Sequence, residues 1–152
     1  PGAIGEESFE WLADADPRIG PVLEFFMANT YYWVPFCRIR SMKLFPPTEL
    51  RDLLWSGVAL QLINGGKLNG FIPVRYPGSE SHEDGLVRLG RKTIWRERDQ
   101  GYFDGLGQRM LTGEERQWPL LELSAVEFDV QEAEDEMAPV GEEPSQGEDV
   151  GL

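Results

Sequence analysis

Two side chains in this 152-residue chain could start nucleophilic chemistry, the single cysteine Cys37 and the single histidine His82. A thiol acts as a nucleophile when a base sits within hydrogen-bond reach. Here the two lie in different segments, Cys37 behind an aromatic run and His82 in Glu80-Ser81-His82-Glu83-Asp84. A lone cysteine after a strand reads more simply as a small buried hydrophobe. A serine triad is no better founded, because Ser79 lacks the Gly-x-Ser-x-Gly context of a nucleophile elbow. The His82 stretch also offers three carboxylates, which suggests a metal site. Adjacent residues point to different sides, however, and no second His or Cys cluster completes a ligand set. A solvated acidic loop is the plainer reading. Gly105-Leu106-Gly107 lacks the third glycine of a dinucleotide loop, and no phosphate-binding loop is present. No cofactor or metal is expected, and the chain reads as a non-enzyme.

Recognition chemistry is better represented. Arg88, Arg91, Lys92, Arg96 and Arg98 surround Trp95, a mixture that can grip single-stranded nucleic acid through phosphates and stacking. Glu97 and Asp99 interrupt the stretch, and a net charge of -13 repels polyanions. The alternatives are a strand with a charged outer face and Trp95 in the core, or a surface for an anionic protein patch. Tyr31-Tyr32-Trp33 is the stronger feature. In a strand these rings alternate between two faces. If one face is core, the other exposes the aromatic area that interfaces concentrate. Sheet packing on one side and a helix on the other would instead cover both.

The elements that hold these residues follow from local pattern. Val22 to Ala28 and Tyr31 to Phe36 predict a hairpin around Asn29-Thr30. Ile39 to Phe45 predicts a third strand. Pro46-Pro47 stops it, and Thr48 is placed to cap a short helix over Glu49 to Trp55, with Leu50, Leu53 and Leu54 on one face. Val58 to Ile63 and Leu68 to Tyr76 flank Asn64-Gly65-Gly66, a strong hairpin signal because both Asn and Gly tolerate positive φ. Glu80 to Gly90 suggests a short helix weakened by its glycines. Thr93 to Arg98 and Leu120 to Phe128 predict strands, Gln108 to Leu111 a short one, and Gln100 to Gly107 a loop. The expectation is an α+β fold: a mainly antiparallel, hairpin-linked sheet, curled or barrel-like, with one or two short helices.

Composition bounds the rest. The longest uncharged run, Leu53 to Gly66, has 14 residues, and a spanning helix needs roughly 20. From Asp129 onward there are nine acids and no base, so a disordered acidic tail over residues 129–152 is expected, behind a folded domain at 9–128 and a loose segment at 1–8. One cysteine allows no intrachain disulfide, and no signal peptide is visible, so a cytoplasmic setting is expected. The chain opens on Pro1, which suggests processing or a fragment.

Several motifs then fall in order: Tyr31-Tyr32-Trp33-Val34-Pro35-Phe36, Pro47-Thr48-Glu49-Leu50-Arg51-Asp52-Leu53-Leu54-Trp55, Asn64-Gly65-Gly66, Arg75-Tyr76-Pro77-Gly78-Ser79-Glu80, Arg91-Lys92-Thr93-Ile94-Trp95 and Gly105-Leu106-Gly107-Gln108-Arg109. Over Phe9 to Phe128 the chain resembles the C-terminal half of the ImpE/TagJ (SciE-like) accessory proteins of bacterial type VI secretion. The resemblance implies a non-enzymatic interaction domain. It also implies association with the contractile sheath, through the N-terminal helix of the small sheath subunit, and with the AAA+ unfoldase that recycles the sheath. The family's N-terminal helical-repeat half is absent here, and Thr30 stands where a basic residue is expected. Candidate partner-binding residues are Tyr31, Arg51, Asp52, Arg75, Tyr76, Arg91, Gln108 and Arg109. Arg51 and Arg75 have a structural alternative, as bidentate anchors to carboxylates such as Asp52.

Overall fold

The computed structural model describes residues 1–130. Residues 131–152, most of the expected acidic tail, lie outside the described residues. The strands are β1 (Gly2–Ile4), β2 (Glu7–Phe9), β3 (Ala13–Asp14), β4 (Val22–Met27), β5 (Thr30–Pro35), β6 (Ile39–Leu44), β7 (Trp55–Leu62), β8 (Lys67–Pro73), β9 (Thr93–Asp99), β10 (Tyr102–Gly107), β11 (Met110–Thr112), β12 (Gln117–Pro119) and β13 (Ala125–Phe128). Eight form one sheet in the order β2-β1-β13-β6-β7-β8-β4-β5, with separate β9-β10 and β12-β11-β3 sheets. The pairings among them are antiparallel.

This corrects the α+β expectation. The α-helical content of the described residues is one four-residue turn, α1 (Gly85–Arg88), beside short 3₁₀ turns. Among the described residues the large sheet does not close into a barrel, since β2 and β5 end it without pairing. The helix expected over Glu49 to Trp55 is a single 3₁₀ turn, Leu50–Leu53. Its cap is Glu49 rather than Thr48: the Asp52 carboxylate accepts from the N–H groups of Thr48 and Glu49 at 2.9 and 3.0 Å. Trp55 already belongs to β7, so the tract is too short for an α-helix, and Leu50 stands in solvent.

Two further expectations change. Residues 1–8, expected to be loose, form β1 and most of β2, and β1 pairs with β13. Gln100 to Gly107, expected to be a loop, is largely β10. Its Gly105 lies flat under Tyr76, where a Cβ would come within 2.6 Å of the ring. That glycine serves packing, not a turn. In β6, a register shift between Ile39 and Ser41 lets Ile39, Met42 and Leu44 all face inward.

The inner face of the large sheet carries the core: Leu23 and Phe25 from β4, Met42 and Leu44 from β6, Val58 and Leu60 from β7, Ile72 from β8 and Val126 from β13. Leu111 and Trp118 of the small sheet join the same cluster. Each such side chain stabilises the fold by about 1.5–3 kcal/mol. Gly70 in β8 lets the sheet close over Phe25, where a Cβ would sit 2.6 Å from the ring tip.

Candidate functional site

The outer face of β4, β5, β7 and β8 is aromatic. Residues paired across antiparallel strands share a face. The register pairs Glu24 with Trp33, Phe26 with both Tyr31 and Phe71, Gly57 with Phe71, and Trp55 with Pro73. Phe45 lies over Gly57. Five of these rings, Trp33, Tyr31, Phe71, Phe45 and Trp55, are 42–62% exposed. Phe26 meets Tyr31 at 4.8 Å between centroids and Trp55 edge-on at 5.0 Å.

Phe26 and Trp55 form the common wall of two grooves, each of about 450 Å³. The first runs past Met27, Asn29, Arg51, Asp52, Asn69 and Phe71. The second runs past Tyr31, Leu54, Arg75 and Glu80 to a floor of Tyr76 and Arg109, with Glu24 on its side.

That floor is held by a buried polar seam. Arg109 is 4% exposed. It pairs with Asp14 at 3.6 Å and with Glu24, and its Nε donates to the Arg75 carbonyl at 3.2 Å. Its guanidinium lies 5.3 Å from the Tyr76 ring centre. The Tyr76 hydroxyl donates to Asp14 at 2.7 Å and accepts the Met110 N–H at 3.0 Å. Glu24 accepts from the Tyr31 hydroxyl, which accepts from Trp33 Nε1. Burial pushes the Asp14 carboxyl up to about 6, against the pull of the Asp16 N–H, Tyr76 and Arg109. Burial, then the Asp14 charge, pushes the Tyr76 hydroxyl well above its usual range. Burial also raises Asp16, but the Arg18 guanidinium and the Gly105 N–H outweigh it and hold this carboxyl below its usual range.

The candidate residues separate on this surface. Arg51 and Asp52 line the first groove; Tyr31, Arg75, Tyr76 and Arg109 line the second. Gln108 and Arg91 line neither. Gln108 splices two segments, donating to the Gly90 carbonyl at 2.8 Å and accepting the Leu121 N–H at 3.1 Å. The Arg91 N–H closes the turn after α1 onto Leu86. Arg75 donates to the Arg88 carbonyl at 2.6 Å rather than to a carboxylate. Arg51 does meet Glu49 at 3.1 Å and Asp52 at 3.7 Å, in the open. Sequence reasoning missed Phe26, Trp55 and Glu24; Phe26 and Glu24 were legible from the alternation of β4.

The remaining chemistry-bearing residues stand apart. Cys37, expected to be buried, is exposed. His82 accepts the Asp84 N–H at 3.0 Å. Among the described residues no cluster of His, Cys, Asp and Glu is arranged to hold a metal. In the basic stretch, Arg88 donates to the His82 and Glu83 carbonyls, while Lys92 and Arg98 pair with Asp84 and Asp104. Trp95 is 37% exposed and leans on Tyr76 at 5.9 Å. None of the described helices is long and apolar enough to cross a membrane.

Comparison with known proteins places this architecture. The family described as ImpE protein matches residues 6–127. The type VI secretion system accessory component TagJ of Pseudomonas aeruginosa is 42% identical over 133 residues, 88% of this chain and 46% of that protein. The chain thus spans about half the length of this curated relative. A crystal structure of a Vibrio parahaemolyticus protein superposes with a TM-score of 0.78 at 27% identity, covering 87% of this chain and 50% of the other. The family match alone spans nearly all the described residues, and the chain belongs to the ImpE family.

Proposed function

We propose that this domain is a non-enzymatic docking module of type VI secretion that acts in the bacterial cytoplasm. Its partner is the N-terminal helix of the small sheath subunit, and the AAA+ unfoldase that recycles the sheath is a second partner of the same assembly. The observation that carries this reading is the paired aromatic groove. Two clefts of about 450 Å³ share the Phe26–Trp55 wall. An amphipathic helix presents apolar side chains at i, i+3/i+4 and i+7, which suits a divided apolar groove. Arg51 and Arg75 stand at the groove margins, where rim charges steer a partner more than they hold it. Membership of the ImpE family and likeness to a type VI accessory component support the setting.

The test is calorimetric titration of the 152-residue chain with a peptide copying that sheath helix. Saturable one-to-one binding is expected. Trp55→Ala removes the shared wall and should cost at least about 2 kcal/mol of binding, the scale of an interface hot spot. A folded chain that gives no heat at high peptide concentration overturns the proposal.

A further inference from the structure

The large sheet ends differently at its two edges. β2 is three residues long and covered. The Glu10 N–H just beyond it donates to the Glu114 carboxylate at 2.9 Å, and Glu7 accepts from Trp118 Nε1 at 2.9 Å and pairs with Arg116. β5 has six residues, no charged side chain, an unbroken register against β4 and, among the described residues, no strand beyond it. Natural edges are blunted with charge, proline, bulges or shortness. This one carries a single such device, Pro35 at its very end.

The turn fixes which backbone groups face outward. Ala28 and Asn29, at φ 50 and 61, make a two-residue hairpin loop. Such a loop is closed by a hydrogen-bonded pair, here Met27 with Thr30. Alternation then makes Phe25–Tyr32 and Leu23–Val34 the next bonded pairs. The Phe26 carbonyl, in agreement, points the other way, at Gly70 of β8. Tyr31 and Trp33 therefore aim their N–H and C=O groups away from the sheet.

We propose that β5 pairs antiparallel with β5 of a second copy of this chain, about a two-fold axis at Tyr32. Tyr31 of each copy then exchanges both backbone hydrogen bonds with Trp33 of the other, and the two sheets become continuous. The side chains agree with this register. On the outer face Tyr31 meets Trp33 twice; on the inner face Tyr32 meets Tyr32 and Thr30 meets Val34. Aromatic and β-branched cross-strand pairs are the favourable ones. Charge leaves this strip as the place where a second copy can approach. The chain carries -13 overall, so two copies repel on most approaches. β5 is an uncharged strip, and Glu24, on the same outer face, is neutralised by Arg109 and bound by Tyr31. Pro35 has no N–H and ends the pairing, so the contact is small and the dimer concentration-dependent.

Sedimentation velocity of the 152-residue chain from about 1 μM to about 1 mM tests this. A monomer–dimer equilibrium is expected, with the Tyr31 and Trp33 amides exchanging more slowly as concentration rises. Trp33→Lys places like charges across the axis. Trp33→Pro deletes an outward N–H without touching a β4–β5 bond. Each should raise the dissociation constant at least about tenfold, and Trp33→Lys decides alone if the proline variant fails to fold. A wild-type chain that stays monomeric overturns the proposal. So does a dimer unchanged in both variants. So does a monomer whose Tyr31 and Trp33 amides become protected only when the sheath peptide is added, which assigns the edge to a different chain. Trp33 lies outside both grooves, so the docking reading stands or falls separately.

Discussion

Arg109 and Arg51 both border the aromatic face, yet they live in different solvents. Arg109 lies beneath it, between the carboxylates of Asp14 and Glu24, with the Tyr76 ring against its guanidinium. Arg51 stands on its rim, where its side chain is 75% exposed and touches Glu49 and Asp52. A buried charge is costly to leave unpaired, so the groove floor is a structural joint. A rim charge is screened and mobile, so it is free to meet a partner. Residue type alone makes these two arginines equivalent; desolvation separates them. The same division runs through the other candidates. Tyr76 belongs to the joint, and Tyr31 spans the two, with its hydroxyl on Glu24 and its ring in the open.

The sharpest way to break that contrast is Arg109→Ala. It leaves Asp14 and Glu24 buried without their cation, and about 3–5 kcal/mol of stability should be lost. Urea denaturation measures it. A loss below about 1 kcal/mol would mean that water reaches the seam and that floor and rim are not different media.

Asp14→Asn probes the same seam through pH. The Asp14 carboxyl ionises near 6 in the folded chain and at 3.8 in its ordinary setting. Between those values the folded state holds a proton that the unfolded state has released. Stability therefore falls as pH rises from about 4 to about 6, by up to ~3 kcal/mol at 1.36 kcal/mol per pH unit. Above pH 6 the loss is complete and this contribution is flat. In Asp14→Asn that decline should vanish. Unfolding midpoints at pH 4, 5, 6 and 7 for both chains would expose a slope that survives the substitution.

Tyr76→Phe comes next. It keeps the ring over Gly105 and beside Arg109 but removes the hydroxyl. Asp14 loses a donor and the Met110 N–H loses its acceptor, both away from water. A loss of about 1–3 kcal/mol is expected in the same denaturation experiment. A neutral result would place water in the seam.

How far the sequence revealed all this depended on the range of each signal. The β7–β8 hairpin was legible because Asn64-Gly65-Gly66 acts locally, and Gly65 does take φ 86. β10 was not, because Gly105 and Gly107 resemble turn residues. Their reasons are Tyr76 and Lys92, which lie far away in sequence and would clash with a Cβ. The leucine spacing at 50, 53 and 54 fits a helix, but Trp55 is claimed by β7, whose partner Pro73 lies beyond the turn. At the site, the sequence marks Arg109 and Tyr76 as partner-binding, whereas burial puts both in the floor. Asp14 carries no such mark, since nothing near it announces a contact 62 residues away.

Arg51→Ala is the smallest effect and the one that separates rim from floor most cleanly. The Arg51–Glu49 pair, at 3.1 Å, joins two side chains that are both more than half exposed. Such pairs contribute about 0–1 kcal/mol. The 3₁₀ turn keeps its own support without Arg51, because the Asp52 carboxylate is held by the N–H groups of Thr48 and Glu49. Those same bonds hold Asp52 below its usual carboxylate range. The melting temperature of Arg51→Ala should therefore match that of the parent chain. If the rim steers partners, the association rate of the sheath peptide should fall and its salt dependence weaken, with little change in dissociation. Stopped-flow measurements at low and high salt distinguish the two rates. A drop in melting temperature as large as that of Tyr76→Phe would make Arg51 part of the joint, and the two arginines would then differ in exposure but not in role.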